Sequence, residues 1–144
     1  MKKYLVEFIG TFFLVLAIGM AVIDPGGAGN LAPIAIGATL MVMVFAGGHV
    51  SGAHYNPAVT LAVWLRGRCA ASDVPFYLIA QILAAVAAAK LALLFKGTTG
   101  TPDPTFNFSH ALIAEFVGTF ALAYVGLNVA MGITVMGLAK TANL

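Results

Sequence analysis

The chain has 144 residues, 61% hydrophobic and 8% charged, with a net charge of +2, against roughly half apolar and a quarter charged in soluble domains. This balance excludes a water-soluble globular domain and predicts an integral membrane protein. With no basic run and no aromatic residues interleaved with basic ones, nucleic-acid binding is excluded as well. The lone Cys69 rules out an intrachain disulfide, and beside Arg68 on a short polar connection it reads as incidental rather than reactive.

Met1-Lys2-Lys3 and the apolar run after it have the outline of a secretory signal. Glu7 interrupts that run, no small-x-small cleavage site follows, and the apolar stretch continues to Ile23, so Tyr4 to Ile23 is read as a first membrane span. Asp24-Pro25-Gly26-Gly27 ends it with turn chemistry. Leu31 to Gly47 is a second span, with Gly47-Gly48 as a sharp exit.

The stretch from Gly48 to Thr60 carries two histidines, a serine, an asparagine and a proline, too polar a mixture for a lipid-facing helix. Irregular backbone at membrane depth is tolerated only where it is buried in protein or lines a watery cavity. Asn56 is a favoured helix N-cap, Pro57 suits the first helical position, and the run to Leu65 has no breaker before Arg66-Gly67-Arg68. At about 1.5 Å per residue the helix covers roughly 15 Å, half of a hydrocarbon core of about 30 Å. It is a half-helix that enters from one face and ends near the midplane.

Arg66 to Asp73 is a short connection, and Val74 to Phe95 a third span rich in alanine, as close helix packing in lipid requires. Lys90 falls within its last turns, where its stem can reach the headgroups. Lys96 to His110, with Pro102 and Pro104, is the one long loop, and Ala111 to about Met131 makes a fourth span. Gly132 to Leu144 is too short to cross a bilayer. The basic residues Lys2, Lys3, Arg66, Arg68 and Lys140 fall on one side, Lys90 and Lys96 on the other. That bias makes the amino terminus cytoplasmic, and the half-helix then dips in from the cytoplasmic side.

Glu7-Phe8-Ile9-Gly10-Thr11-Phe12-Phe13-Leu14 recurs as Glu115-Phe116-Val117-Gly118-Thr119-Phe120-Ala121-Leu122, with six identities in eight positions at an offset of 108. Three spans separate the starts of the two copies, so the second runs through the membrane in the opposite direction, as in an inverted-topology repeat. Asn56 shifted by 108 would fall at position 164, beyond residue 144. The expectation is a single membrane domain: a first repeat over 1–110 and an incomplete second over 111–144 that lacks its own half-helix. Met131 to Met136 echoes Ile36 to Met41 at an offset of 95, an echo that coincidence explains equally well.

Ser51-Gly52-Ala53-His54-Tyr55-Asn56-Pro57-Ala58-Val59-Thr60 is similar, position for position, to the signature Ser-Gly-Ala-His-x-Asn-Pro-Ala-Val-Thr of the aquaporin, or major intrinsic protein, family. The chain thus resembles a member cut to the first repeat plus one helix of the second: all-α, four transmembrane helices and one re-entrant half-helix. The resemblance implies a passive channel for water or small neutral solutes such as glycerol, with no enzymatic step and no cofactor. Asn56, Pro57 and Ala58 would stand in the pore. Carbonyls of Gly52, Ala53 and His54 would form an acceptor ladder facing an apolar wall at Val59, and Glu7 and Glu115, buried acids with His49 and Ser51 nearby, would brace the loops. Ile36 stands where the family usually places an aromatic ring in its selectivity filter, which widens the range of solutes. The implied partners are the bilayer, further copies in a tetramer, or a complementary half-channel chain. The implied location is a plasma or inner membrane.

Independently of any family, a half-helix offers unpaired N–H groups and about half a positive charge at its amino end, which attracts the oxygen of a small neutral solute and opposes cations. Other readings are weaker. His49 and His54 lack a third metal ligand in sequence. Ser51 near His49 has the composition of an intramembrane hydrolase, but it is crowded against a proline-started helix. Glu7 and Glu115 in a proton relay are the sharper alternative to bracing, and a non-conducting fragment or interaction subunit is the alternative to a channel.

Overall fold

The computed structural model of the chain describes residues 1–24, 26–97 and 107–130. Five α-helices follow in order: α1 (Lys2–Val22), α2 (Ala32–Ser51), α3 (Pro57–Leu65), α4 (Val74–Lys96) and α5 (Phe108–Val125). A 3-10 turn at Gly29–Leu31 leads into α2, and a π-helical turn at Gly126–Ala130 extends α5. Four segments are long and apolar enough to cross a membrane, with α3 as the short fifth, and no strand occurs among the described residues. The long loop with Pro102 and Pro104, Lys140, and the echo at Met131 to Met136 lie outside the described residues.

The span boundaries agree with the sequence reading to within a few residues except at the end of α2. The expected exit at Gly47-Gly48 is not one: the helix continues through both glycines to Ser51 and turns at Gly52, whose φ of 87° is the left-handed cap that glycine adopts at least cost. His49 therefore sits on the last helical turn rather than on an irregular loop. Gly47 has a packing role instead, since a Cβ there would collide with the Tyr55 hydroxyl and with Val6.

The core is small and built of small residues. α1 packs against both α2 and α4. On α4, Ala84, Ala88 and Ala92 form a stripe at helical spacing, each no more than 1% exposed, continued toward the α4 start by Gln81 and Tyr77. On α1 this stripe meets Gly19, where a Cβ would come within 2.6 Å of that of Ala92. Such close backbone approach replaces the hydrophobic driving force that lipid does not supply. Lys90 is exposed.

Helix α5 stands apart. Among the described residues it packs only against α3 and its own π-helical extension, and none of its residues is buried.

Candidate functional site

The half-helix starts as the sequence predicts. Asn56 is its N-cap, and Asn56 Oδ1 accepts from the N–H groups of Ala58 at 2.7 Å and Val59 at 3.3 Å, with Pro57 at the first position. One face of α3, Val59, Thr60 and Val63, is buried. At its far end Gly67 takes φ 68° and donates to Trp64 O, while Arg68 N–H donates to Val63 O. This is the Schellman pattern, which satisfies two of the last carbonyls of the helix.

The approach to Asn56 holds the two non-glycine residues with positive φ found among the described residues. Gly52, Ala53 and Tyr55 all have positive φ, at 87°, 52° and 50°. For the two non-glycine residues such conformations cost about 1–3 kcal/mol each. The restraint comes from Glu7 on α1, fully buried, whose carboxylate accepts four hydrogen bonds. Ser51 Oγ at 2.7 Å and His54 N–H at 3.0 Å donate to Oε1; Tyr55 N–H at 2.7 Å and Gln81 Nε2 at 2.9 Å donate to Oε2. At about 1.5–3 kcal/mol for each bond to a charged group, these outweigh the strain.

A second tier locks the loop from the side. Tyr77 hydroxyl donates to Ser51 O at 2.7 Å, and Tyr55 hydroxyl donates to Met43 O at 2.9 Å. The Tyr55 ring fills a slot that exists because residues 10 and 47 are glycine, as a Cβ at either would overlap it. Thr60 Oγ1 donates to Asn56 O at 3.1 Å and accepts from Gln81 Nε2 at 2.9 Å. Thr60 Oγ1 also lies 3.1 Å from His54 Nδ1, so the imidazole is part of the same hydrogen-bonded cluster.

Held in this way, the loop leaves four acceptors free. No donor among the described residues reaches the carbonyl oxygens of Gly52, Ala53, His54 or Tyr55, whereas Ser51 O and Asn56 O are both engaged. The Asn56 side-chain NH₂ is likewise without a partner among the described residues. Asn56, Pro57 and Ala58 open on a groove of about 570 Å³ whose other wall is the face of α5 carrying Leu112, Glu115, Phe116 and Thr119.

The remaining sequence candidates divide. Glu7 and Ser51 meet in the loop. Glu115 was expected to be a buried acid and is not: it is exposed in the groove, and its bond is to its own helix neighbour Thr119 at 3.1 Å. The reason is that α5 meets only α3, so no irregular loop lies against Glu115 among the described residues. His49 is exposed, and its side chain makes no hydrogen bond among them. Val59 is 8% exposed and does not line the groove, and Ile36 on α2 is half-exposed and away from it. No group of three or more metal-ligating side chains occurs among the described residues.

Sequence reasoning missed Gln81, Tyr77, Tyr55 and Thr60 as parts of the brace. Gln81 is the one amide in the α4 span, a signal that could have been read. Two buried polar atoms, Thr11 Oγ1 and Gln81 Oε1, have no partner among the described residues. At the membrane edge, Asp73 takes Lys3 Nζ on Oδ2 and Tyr4 hydroxyl on Oδ1, the latter at 2.8 Å, tying the start of α4 to α1. The bonds from Lys3 and then Tyr4 hold the Asp73 carboxyl below its usual range. Burial, and then the charge of Asp73, push the Cys69 thiol up, away from the reactive thiolate form.

Residues 1–142 match the family described as major intrinsic protein. The chain is 42% identical over 139 residues to "Aquaporin NIP1-4" of Oryza sativa subsp. japonica, covering 90% of this chain and 50% of that one. It is 38% identical over 150 residues to "Aquaporin Z" of Rhodopseudomonas palustris, covering 92% and 62%, and 36% identical over 137 residues to "Glycerol uptake facilitator protein-like 6" of Lactiplantibacillus plantarum, covering 90% and 63%. The chain thus spans about half to just under two thirds of the length of these relatives. A ten-residue signature on a braced re-entrant loop, four membrane-length helices and a match over nearly all of its residues make this chain a multi-pass membrane protein of the major intrinsic protein family.

Proposed function

We propose that residues 1–130 build one half of the wall of a passive channel for water or small neutral solutes. The observation that carries this reading is the row of unengaged carbonyl oxygens at Gly52, Ala53 and His54, leading to the unengaged NH₂ of Asn56 at the start of a half-helix. Acceptors followed by donors suit a small hydroxylic solute that exchanges one hydrogen bond for the next, and the positive end of the half-helix opposes cations. The groove beside Asn56 is open, so conduction requires a second polar element to face it, supplied by further residues or by another chain. Oligomerisation, a cytoplasmic amino terminus and placement in a plasma or inner membrane belong to the same reading. An aliphatic Ile36 in place of the aromatic ring that the family resemblance leads one to expect leaves glycerol open as a solute beside water.

Stopped-flow shrinkage of proteoliposomes in osmotic water and glycerol gradients tests it, with empty vesicles and Asn56→Asp as references. Permeability above empty vesicles, lowered by Asn56→Asp, supports a pore assembled from this chain alone. Permeability equal to that of empty vesicles, with insertion verified, excludes such a pore and favours a half that needs a partner or a non-conducting subunit.

A further inference from the structure

The far end of α3, opposite the groove, carries a second feature that the channel reading does not use. Arg66 is the C-cap and Arg68 lies two residues on, with left-handed Gly67 reversing the chain between them. Both arginines are exposed, and neither makes an ion pair or side-chain hydrogen bond among the described residues. The acid of the same connection, Asp73, is already held by Lys3 and Tyr4 and is not available to neutralise them. One turn back, Leu61, Trp64 and Leu65 form an exposed apolar stripe, at 40%, 40% and 77% exposure, on the side of α3 away from its buried face.

We propose that Arg66 and Arg68, with Trp64 and Leu65 beneath them, form a binding site for the phosphate of an anionic phospholipid in the adjoining leaflet. The half-helix runs from the midplane outward, so its end lies at headgroup depth. There the Trp64 ring suits the boundary between acyl chain and headgroup, and the apolar stripe lies along the acyl chains. The guanidinium forks match phosphate oxygens, and among the described residues no carboxylate is paired with them. Charge complementarity selects an anionic lipid over a zwitterionic one. The inference rests on insertion of the chain in a membrane and not on conduction.

Trp64 is the only tryptophan in the sequence, so its fluorescence reads this site alone. The full chain is reconstituted in phosphatidylcholine vesicles containing a fixed fraction of brominated phosphatidylglycerol or brominated phosphatidylcholine, and quenching gives the relative association constant. With about 1 kcal/mol per basic residue near the surface, two arginines give a preference for the anionic lipid of up to about 30-fold. A preference of fivefold or more, abolished in R66Q/R68Q and retained in K90Q, is the expected result. Equal quenching by the two lipids overturns the proposal, as does a preference that K90Q lowers as much as R66Q/R68Q does, which would reflect general charge. Inorganic phosphate separates the sources: if it removes the preference at matched ionic strength while chloride does not, the site is one for free phosphate and the lipid assignment fails. The double variant changes exposed side chains only, and its helix content is checked by circular dichroism.

Discussion

Replacing Glu7 by Gln tests whether this one side chain holds the loop. The amide keeps one acceptor oxygen and puts an NH₂ group where the other stood. Either orientation sets that NH₂ against two existing donors: Tyr55 N–H and Gln81 Nε2, or His54 N–H and Ser51 Oγ. Two bonds to a charged acceptor, about 1.5–3 kcal/mol each, are lost, for about 3–6 kcal/mol in all. Removing a buried charge offsets part of this, because its desolvation had opposed folding by a few kcal/mol. The net cost is about 2–4 kcal/mol, concentrated on a loop that already stores strain at Ala53 and Tyr55. Local opening then becomes about 30- to 1,000-fold more frequent, read as faster deuterium exchange at the amides of His54 and Tyr55 in reconstituted protein. Exchange in the middle of α4 should change far less. If the two loop amides exchange within threefold of the unmodified protein, Glu7 is not the brace and the reasoning fails.

Other substitutions and one change of pH also have defined outcomes. Gly47→Ala places a methyl group in the space of the Tyr55 hydroxyl and should lower thermal stability in detergent by about 1–3 kcal/mol, whereas Gly118→Ala, with nothing within 4 Å, should be neutral or slightly stabilising. Thr11→Val replaces an orphaned buried hydroxyl by a methyl of the same shape and should raise stability by about 1 kcal/mol in the same assay; a loss of that size would show that the hydroxyl is satisfied. Because the Asp73 carboxyl is held below its usual range, its tie to Lys3 and Tyr4 is fully present above about pH 4 and is lost as pH falls through the lowered value. Trypsin cleavage after Arg66 or Arg68 at near-neutral pH should therefore be faster in Asp73→Asn than in the unmodified protein, and equal rates would remove the tie from the account.

Much of the site was legible because its signals are local. Asn56-Pro57 specifies a cap and a first helical position within two residues, and the capping bonds form as that pair requires. The membrane spans follow from apolar length alone. The exit of α2 was misplaced because a Gly-Gly pair is a breaker only where nothing packs against it; here the Tyr55 ring does, and the turn moves to Gly52. The brace was half legible: an acid on an apolar span must find donors, but which donors depends on α4 lying beside α1, and nothing in the local sequence of Gln81 or Tyr77 states that neighbour. Glu115 shows the converse. Its repeat register with Glu7 is clear in the sequence, yet its environment is decided by what packs on α5, and so one acid is buried and the other lies open in the groove.

The central claim is that the loop presents free carbonyl oxygens to a water-filled path. Solid-state NMR in bilayers tests this directly, by the rate at which magnetisation passes from water to ¹³C-labelled carbonyls. The account predicts fast build-up at Gly52, Ala53 and His54 and slow build-up at Ser51, whose oxygen is held by Tyr77. Build-up at the three carbonyls as slow as at Ser51 would contradict it.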